Sequence, residues 1–163
     1  MELFICRHGI AEDHNPGGDA ARRLTEEGSE KVLKTAEALK GRISPDIIIS
    51  SPYLRAKKTA ELIIQGIEFK GEYWQSGELY PFSDIDDTLI EVNASDAEAI
   101  LLVGHNPHLS TLCSALIGAP GDRIILKKSA VAKISFDSLA LRGAGVLKWL
   151  VTAGTVKSIL KSG

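Results

Sequence analysis

The sequence predicts an α/β fold, a three-layer α/β/α sandwich with a mostly parallel central sheet, in one domain that spans residues 1–163. Short apolar runs of the kind found in buried strands alternate with segments whose apolar residues recur at helical spacing. This alternation is typical of βαβ units, in which helices cover both faces of a sheet. No internal repeat, low-complexity segment or linker interrupts the chain, and 163 residues suffice for one substantial core.

The first quarter of the chain predicts a strand and a loop. An apolar run up to Cys6 favours a buried strand, which ends at Arg7, His8 and Gly9. The stretch 10–23 is rich in Gly, Pro, Asn and Asp, which is typical of a loop. The chemistry-bearing residues of the first strand therefore stand where the strand gives way to a loop.

The remaining elements repeat the order of strand and helix. Thr25 suits the N-cap of a first helix, because acids fill the turn after it, and that helix runs to about Lys40, before Gly41. The other predicted elements are a strand at 46–50, a helix from Ser51–Pro52 to about Gln65, a strand at 69–74, a short helix at 85–92, a strand at 99–103, a helix at 107–117, strands at 130–136 and 146–151, and a short tail helix.

Composition and charge argue against several classes of protein. The formal net charge of -2 speaks against a general nucleic-acid binder but leaves room for a local cationic pocket. No apolar run reaches transmembrane length, and the N-terminus lacks the basic region of a signal peptide, so we expect no membrane association and a cytoplasmic location. Cys6 and Cys113 fall in predicted core elements, which favours small core residues over a disulfide.

Polar side chains follow three of the predicted strands at the point where each strand ends. Arg7 and His8 follow one, Ser51 and then Arg55 follow another, and His105 follows a third. Because the carboxyl ends of parallel strands meet at one edge of a sheet, we expect these side chains to gather there, beside helix N-termini. Arg forks and helix N-termini are good ligands for phosphate oxygens. The sequence predicts a phosphoryl site that can work without a metal or cofactor.

These residues stand in motifs that resemble the histidine phosphatase (phosphoglycerate mutase-like) superfamily. The motifs are Arg7-His8-Gly9, Ser51-Pro52-Tyr53-Leu54-Arg55-Ala56-Lys57-Lys58-Thr59-Ala60 and Val103-Gly104-His105-Asn106-Pro107. Their order and spacing resemble the superfamily over about residues 1–118, and the resemblance implies its fold. The short chain is similar to SixA-type phosphohistidine phosphatases within it. The stretch Arg22-Arg23-Leu24-Thr25-Glu26-Glu27-Gly28 also resembles the R-x-L-T-x-x-G stretch that this subfamily carries before its first helix.

The resemblance implies a catalytic role for four residues. His8 is expected to be the nucleophile, which forms a covalent phosphohistidine that water then hydrolyses. It must be neutral to attack, and we expect neighbouring cations to lower its pKa. Arg7, Arg55 and His105 are expected to bind the phosphoryl oxygens and to stabilise the transition state.

Further residues complete the expected site. Glu78 is the nearest match to the acid that larger members of the superfamily carry after the third strand. Asn106 is expected to donate a hydrogen bond at the rim or only to cap the following helix. Gly9 lets backbone approach a ligand closely, and Ser51 is assigned to substrate binding with it.

Two pairs of side chains have less defined expectations. Either Arg22 or Arg23 could reach the pocket from the loop, and Arg22 is the motif match, so we assign it to substrate binding. His14 and His108 lie outside every motif position with an implied role. We expect both histidines on the surface.

Two phosphate carriers remain open as substrates. The short interval between Phe69 and Val103 leaves no room for the cap insertions of larger members. An uncapped site would admit phosphohistidine on a signalling protein, including a histidine-phosphotransfer domain. Imidazole is a good leaving group, so such a substrate needs a general acid less than an ester does. The alternatives are a phosphatase of small phosphate monoesters with the same mechanism, and a non-catalytic phosphate-binding module.

Three rival phosphatase chemistries fit the sequence poorly. The D-x-D-x-T pattern at Asp84–Thr88 lacks the apolar strand that should precede it, and its acids look like the first turn of a helix. A cysteine-based phosphatase needs an Arg shortly after its Cys, at positions that hold Glu12 and Ala119. A metal phosphatase needs converging His and carboxylate side chains, and no acid cluster follows the strands.

Overall fold

A six-stranded sheet forms the centre of the computed structural model, which describes residues 1–156. Its strands are β1 (Glu2–Arg7), β2 (Ile47–Ser50), β3 (Glu72–Gln75), β4 (Ala99–Gly104), β5 (Val131–Ser135) and β6 (Val146–Val151). They lie in the order β3-β2-β4-β1-β5-β6. The first four of these are mutually parallel, whereas β5 runs antiparallel to both β1 and β6. The predicted mostly parallel sheet is confirmed.

Helices cover both faces of this sheet. They are α1 (Glu26–Leu39), α2 (Leu54–Ile67), α3 (Ile85–Ala94) and α4 (His108–Leu116). Apolar residues of α1 and α2 share one core with the sheet, and those of α3 and α4 share another. The predicted three-layer α/β/α sandwich is therefore confirmed.

Both faces of β1 are buried, which explains its continuously apolar sequence. Leu3 and Ile5 point into the core beneath α3 and α4, and Phe4 and Cys6 point into the core beneath α1 and α2. Successive side chains of a strand face opposite ways, so a strand covered on both faces needs apolar residues throughout. Cys6 is a free, buried thiol, as is Cys113 in α4, which confirms that both are core residues.

The predicted helix starts are confirmed where a side chain caps them. The Thr25 hydroxyl accepts a hydrogen bond from the Gly28 N–H (3.0 Å) at the start of α1. The Asp84 carboxylate accepts from the Asp86 N–H (2.7 Å) at the start of α3. The acids of the D-x-D-x-T pattern thus belong to a helix N-terminus, as predicted.

Two predicted boundaries are wrong by a few residues. Helix α2 begins at Leu54 rather than at Ser51–Pro52, because the Ser51 N–H still pairs with the strand β4 carbonyl of Val103. Strand β3 begins at Glu72 rather than at Phe69, because α2 continues to Ile67 and its C-terminal turn takes the Phe69 N–H.

The end of the chain is described in part. Residues 153–156 are helical, and the rest of the predicted tail helix lies outside the described residues. Among the helices of residues 1–156, none combines the length and the apolar character that crossing a membrane would require.

Candidate active site

The ends of β1, β2 and β4 lie level with one another at the carboxyl edge of the sheet. Arg7 pairs with Gly104, and the Gly104 carbonyl also accepts the His8 N–H (3.0 Å). On the other side of β4, the Ser51 N–H donates to the Val103 carbonyl (2.9 Å). Three segments that are far apart in the sequence are thereby held side by side, and the predicted gathering of the polar strand ends is present.

His8 is held in one tautomer by its own neighbour. Its side chain is buried (6% exposed), and its Nδ1 lies 2.7 Å from the Gly9 carbonyl oxygen. A carbonyl can only accept, so Nδ1 carries the proton. In the neutral ring the lone pair then resides on Nε2, the nitrogen that faces Arg55. The side chain therefore presents a nucleophilic nitrogen to the pocket.

The pKa of His8 is lowered from 6.5 to about 3. Burial is the largest cause, because it disfavours the charged ring. The Gly9 carbonyl opposes this shift, while the positive charges of Arg55, Arg7 and Lys128 add to it. Neighbouring cations do lower the pKa, as the sequence suggested, but burial contributes more.

Arg55 lies against His8 from the first turn of α2. Its Nε donates to His8 Nε2 (3.3 Å), and the guanidinium is almost fully buried. The other two nitrogens are bound to Asp19: Nη1 to its backbone carbonyl (2.6 Å) and Nη2 to its carboxylate (2.9 Å). The guanidinium also lies over the Tyr53 ring, 5.0 Å from its centroid.

His105 faces His8 across the pocket. The two ring centroids are 5.0 Å apart, and His105 Nε2 lies 2.8 Å from the Ser51 hydroxyl oxygen. The Tyr53 and His105 rings pack edge to face, with their centroids 5.0 Å apart. Burial is the main cause that lowers the pKa of His105, and the neighbouring His8 ring and the positive charge of Arg55 lower it further. Ser51 thus orients His105 and forms part of the pocket wall.

Arg7 and Asn106 meet at one backbone carbonyl. Arg7 Nη1 and Asn106 Nδ2 each donate to the Leu126 carbonyl oxygen, both at 3.0 Å. This carbonyl lies in the segment before β5, so that segment is attached to two residues of the pocket. The burial of Arg7 lowers its pKa, although the guanidinium remains a cation at any ordinary pH.

Several polar atoms of this cluster are buried without a hydrogen-bond partner among the described residues. They are Arg7 Nε, His105 Nδ1, Asn106 Oδ1 and Ser129 Oγ. Buried polar atoms are nearly always paired in folded proteins, and those left over mark a place where a ligand can complete the set. Three of the four belong to residues that the sequence assigned to the site.

Gly9 is required by packing. A Cβ on Gly9 would lie 2.7 Å from Val32 Cγ2 on α1. Its N–H donates to the Thr59 hydroxyl (3.1 Å), which in turn donates to the Arg55 carbonyl (2.7 Å), and its carbonyl is bound to His8. Both backbone groups of Gly9 are therefore engaged within the protein, and its position fixes the nucleophile against α1 and α2.

Gly28 allows close packing between α1 and the loop after β1. A Cβ on Gly28 would overlap the carbonyl oxygen of Ile10. That oxygen accepts the Thr25 N–H (2.9 Å). The glycine of the R-x-L-T-x-x-G stretch thus allows the chain leaving His8 to lie directly on the N-terminus of α1.

Arg22 and Glu78 differ in how their side chains are held. Arg22 Nη1 donates to Asp19 Oδ1 (2.8 Å), so it is joined to Arg55 through one carboxylate, whereas Arg23 is exposed. Glu78 lies in a short 3-10 turn, Gly77–Leu79, packed beside the end of β4. Its carboxylate has no hydrogen bond or ion pair within residues 1–156.

The expectation for His108 is wrong. His14 is exposed, as predicted, but His108 is buried (3% exposed). Its Nε2 contacts the Thr88 hydroxyl and its Nδ1 the Ser83 carbonyl, both at 3.0 Å. The side chain ties α4 to α3, and no short-range feature of the sequence signals this, because both partners come from a different segment.

Sequence reasoning missed three residues of the pocket. Asp19 and Lys128 lie in loops without a motif, and the only available signal was their charge. Thr59 stands in the second motif, but its helical position alone did not reveal a contact with the loop after β1. Within residues 1–156, no group of three or more His, Cys, Asp or Glu side chains is arranged to hold a metal ion.

Comparison with known proteins agrees with the motifs. Residues 3–76 match the model of the histidine phosphatase superfamily (branch 1). The chain is 27% identical to phosphohistidine phosphatase SixA of Escherichia coli, over 96% of this chain and 97% of that protein. It is 31% identical to the phosphohistidine phosphatase SixA homolog of Haemophilus influenzae, over 72% of this chain and 78% of that protein.

Comparison with solved structures gives the same result. The structure of protein histidine phosphatase SixA complexed with tungstate superposes with a TM-score of 0.86 at 25% identity. The match covers 96% of this chain and 99% of that one.

Proposed function

The chain belongs to the histidine phosphatase superfamily, and we propose that its pocket hydrolyses phosphohistidine carried by another protein. One observation carries this proposal: His8 is neutral, and its Nε2 lone pair faces Arg55 in a pocket with buried polar atoms that no described residue pairs. A histidine in this state is a nucleophile rather than a cation that merely binds phosphate. The relatives named as phosphohistidine phosphatases support the choice of substrate.

The first step transfers the phosphoryl group to His8. The Nε2 lone pair attacks phosphorus, an N–P bond forms, and the P–N bond of the substrate breaks with its electrons going to the leaving imidazole, which takes up a proton from solvent or from Glu78. The ring of His8 becomes a phosphorylated imidazolium that keeps its proton on Nδ1. The Gly9 carbonyl stabilises this cation, because it accepts the Nδ1 hydrogen bond.

The second step returns the enzyme to its starting state. Water attacks phosphorus, the bond from phosphorus to Nε2 breaks, and inorganic phosphate leaves while Nε2 regains its lone pair. In both steps Arg7, Arg55 and His105 surround the three phosphoryl oxygens. Phosphoryl transfer depends mainly on such positioning and charge stabilisation. Asn106, Ser51 and Arg22 are proposed to support these contacts from the rim.

A substrate borne by a protein fits the open architecture. Between β3 and β4 the chain forms only a 3-10 turn and α3, and α3 packs its apolar side on the sheet. No inserted helices cover the pocket within residues 1–156. The good leaving group also fits, because the carboxylate of Glu78, the proposed general acid, is held by no described residue. A phosphohistidine substrate can react with little help from an acid.

The proposal includes a partner and a compartment. The partner is a phosphorylated protein, for which a histidine-phosphotransfer domain is one candidate, and the compartment is the cytoplasm, with which two free buried thiols are compatible. A small phosphate monoester is the alternative substrate, with the same roles for His8 and Arg55.

The test is to trap the intermediate. A protein phosphorylated on histidine is mixed with the enzyme, the reaction is quenched in alkali, and the modified residue is located by mass spectrometry. We expect phosphate on His8, no turnover by His8→Ala, and full turnover by the control His14→Ala, which alters an exposed ring. Full activity of His8→Ala would contradict the mechanism. Phosphate binding without turnover of either a phosphohistidine protein or an aryl phosphate would indicate a binding module.

A further inference from the structure

A carboxylate of the protein occupies the arginine fork of the proposed site. Asp19 Oδ2 lies 2.9 Å from Arg55 Nη2, and the Asp19 backbone carbonyl lies 2.6 Å from Arg55 Nη1. Together with the Nε bond to His8, these contacts use every nitrogen of the guanidinium. A phosphoryl group that binds Arg55 through the same fork therefore meets Asp19 there first.

The charge of Asp19 is directed at the same place. Its other oxygen, Oδ1, accepts from Arg22 Nη1 (2.8 Å), so the carboxylate lies between two arginines. Its negative charge also reaches His105, whose pKa it raises against the larger opposing effects. An ionised carboxylate this close repels a dianionic phosphoryl group unless it moves aside.

The segment that carries Asp19 is lightly packed. Asp19 opens a three-residue 3-10 turn without a buried residue, and its side chain is 53% exposed, whereas that of Arg55 is 4% exposed. Gly18 before it has a φ of 89°, and a Cβ added there would meet no atom within 4 Å. Among the described residues, the Asp19 carboxylate is bonded only by Arg22 and Arg55, so it can leave without disturbing the core.

We propose that Asp19 competes with the substrate for Arg55 and thereby lowers the affinity of the site for anions. The Asp19 carboxylate holds the fork in position, and an anion that binds Arg55 through this fork must displace it. This inference rests on the proposed function, because it assumes that Arg55 receives the phosphoryl group. Competition of this kind multiplies the binding constant of every anion by the fraction of molecules in which the fork is free.

The experiment measures the affinity for inorganic phosphate and for sulfate by titration calorimetry at fixed pH and ionic strength. Asp19→Asn and Asp19→Ala remove the competing charge, and the alanine variant also removes the hydrogen-bonding group. The control Asp13→Asn makes the same change of net charge at an exposed position of the same loop. We expect both Asp19 variants to bind phosphate about tenfold more tightly or better, and the control to bind as the wild type does.

Other results would overturn the inference in distinguishable ways. Unchanged or weaker phosphate affinity in both Asp19 variants means that Asp19 does not compete. A loss of aryl phosphate turnover in Asp19→Asn, with phosphate affinity unchanged, would make it an acid instead. If the Arg55→Gln variant binds phosphate as tightly as the wild type does, the proposed function fails together with this inference. Binding that needs Arg55 but gains nothing from the Asp19 variants overturns the inference alone.

Discussion

Arg55 Nε lies 3.3 Å from His8 Nε2, and both side chains are buried. The guanidinium donates to the same lone pair that attacks phosphorus in the proposed mechanism. Arg55 must therefore give up this hydrogen bond as the N–P bond forms and turn its N–H groups to the phosphoryl oxygens. An interaction that is gained in the transition state, and not in the ground state, accelerates the reaction.

The first prediction concerns this pair. Arg55→Lys keeps the charge but loses the planar fork and the Nε–H donor, so we expect kcat/KM on a phosphohistidine protein to fall roughly 10²–10³-fold. Lys58→Gln removes an exposed cation from the same helix and is expected to change kcat/KM less than twofold or so. A similar loss in both variants would mean that general positive charge, rather than the fork, matters.

The second prediction concerns protonation. Because burial and nearby cations lower the pKa of His8 to about 3, its ring should not titrate between pH 8 and pH 5. We expect the His8 ring signals in a histidine-selective NMR titration to stay at neutral-ring chemical shifts over this range. A midpoint near 6.5, as in a free peptide, would contradict the buried geometry.

The same shift makes stability depend on pH. The unfolded chain binds a proton on His8 at about pH 6.5, whereas the folded chain does so only near pH 3. The unfolded state therefore gains protons first as the pH falls, and the free energy of unfolding decreases from about pH 6.5 downward. Urea denaturation at pH 7 and at pH 5 should show this loss, up to about 2 kcal/mol for such a histidine, and His8→Asn should reduce it.

The third prediction separates the two substrate classes. Glu78→Gln should lower turnover of an aryl phosphate by about 10²–10⁴-fold if Glu78 protonates the leaving oxygen, and should lower phosphohistidine turnover much less. Glu72→Gln, at the opposite edge of the sheet, is the matched control. If Glu78→Gln turned over both substrates at the wild-type rate, Glu78 would have no part in the mechanism.

The fourth prediction concerns the contact that seats the nucleophile. Gly28→Ala would ordinarily stabilise a helix by about 1 kcal/mol, but here its Cβ overlaps the Ile10 carbonyl oxygen. We expect instead a loss of about 1–3 kcal/mol in the free energy of unfolding. Gly77→Ala, whose Cβ meets only the Tyr80 ring at 3.4 Å, is the control. A stabilised Gly28→Ala variant would disprove the close packing.

The part of the site next to the strands could be predicted from the sequence. Arg7, His8, Ser51 and His105 lie at the ends of apolar strands, and the parallel pairing of those strands brings them together whatever the details of the loops. The same reasoning gave the two helical layers, because each strand and helix carries its own periodicity.

Contacts between segments that are distant in the sequence could not be predicted. Asp19 reaches Arg55 across 36 positions of sequence, and His108 is buried by Thr88, 20 positions away. Such contacts depend on how loops and helices pack against one another, and local patterns of charge or hydrophobicity do not record that. The roles of Asp19 and His108 became visible only with the coordinates.

The place of β4 in the sheet has a consequence for the order in which the chain acquires activity. Strand β4 lies between β1 and β2, so these two strands have no direct hydrogen bonds with each other. His8 and Arg55 are made early during synthesis, yet they can reach their working separation only after residues 99–104 have left the ribosome and inserted between the two strands. A nascent chain shorter than this carries the nucleophile and its arginine but no catalytic centre.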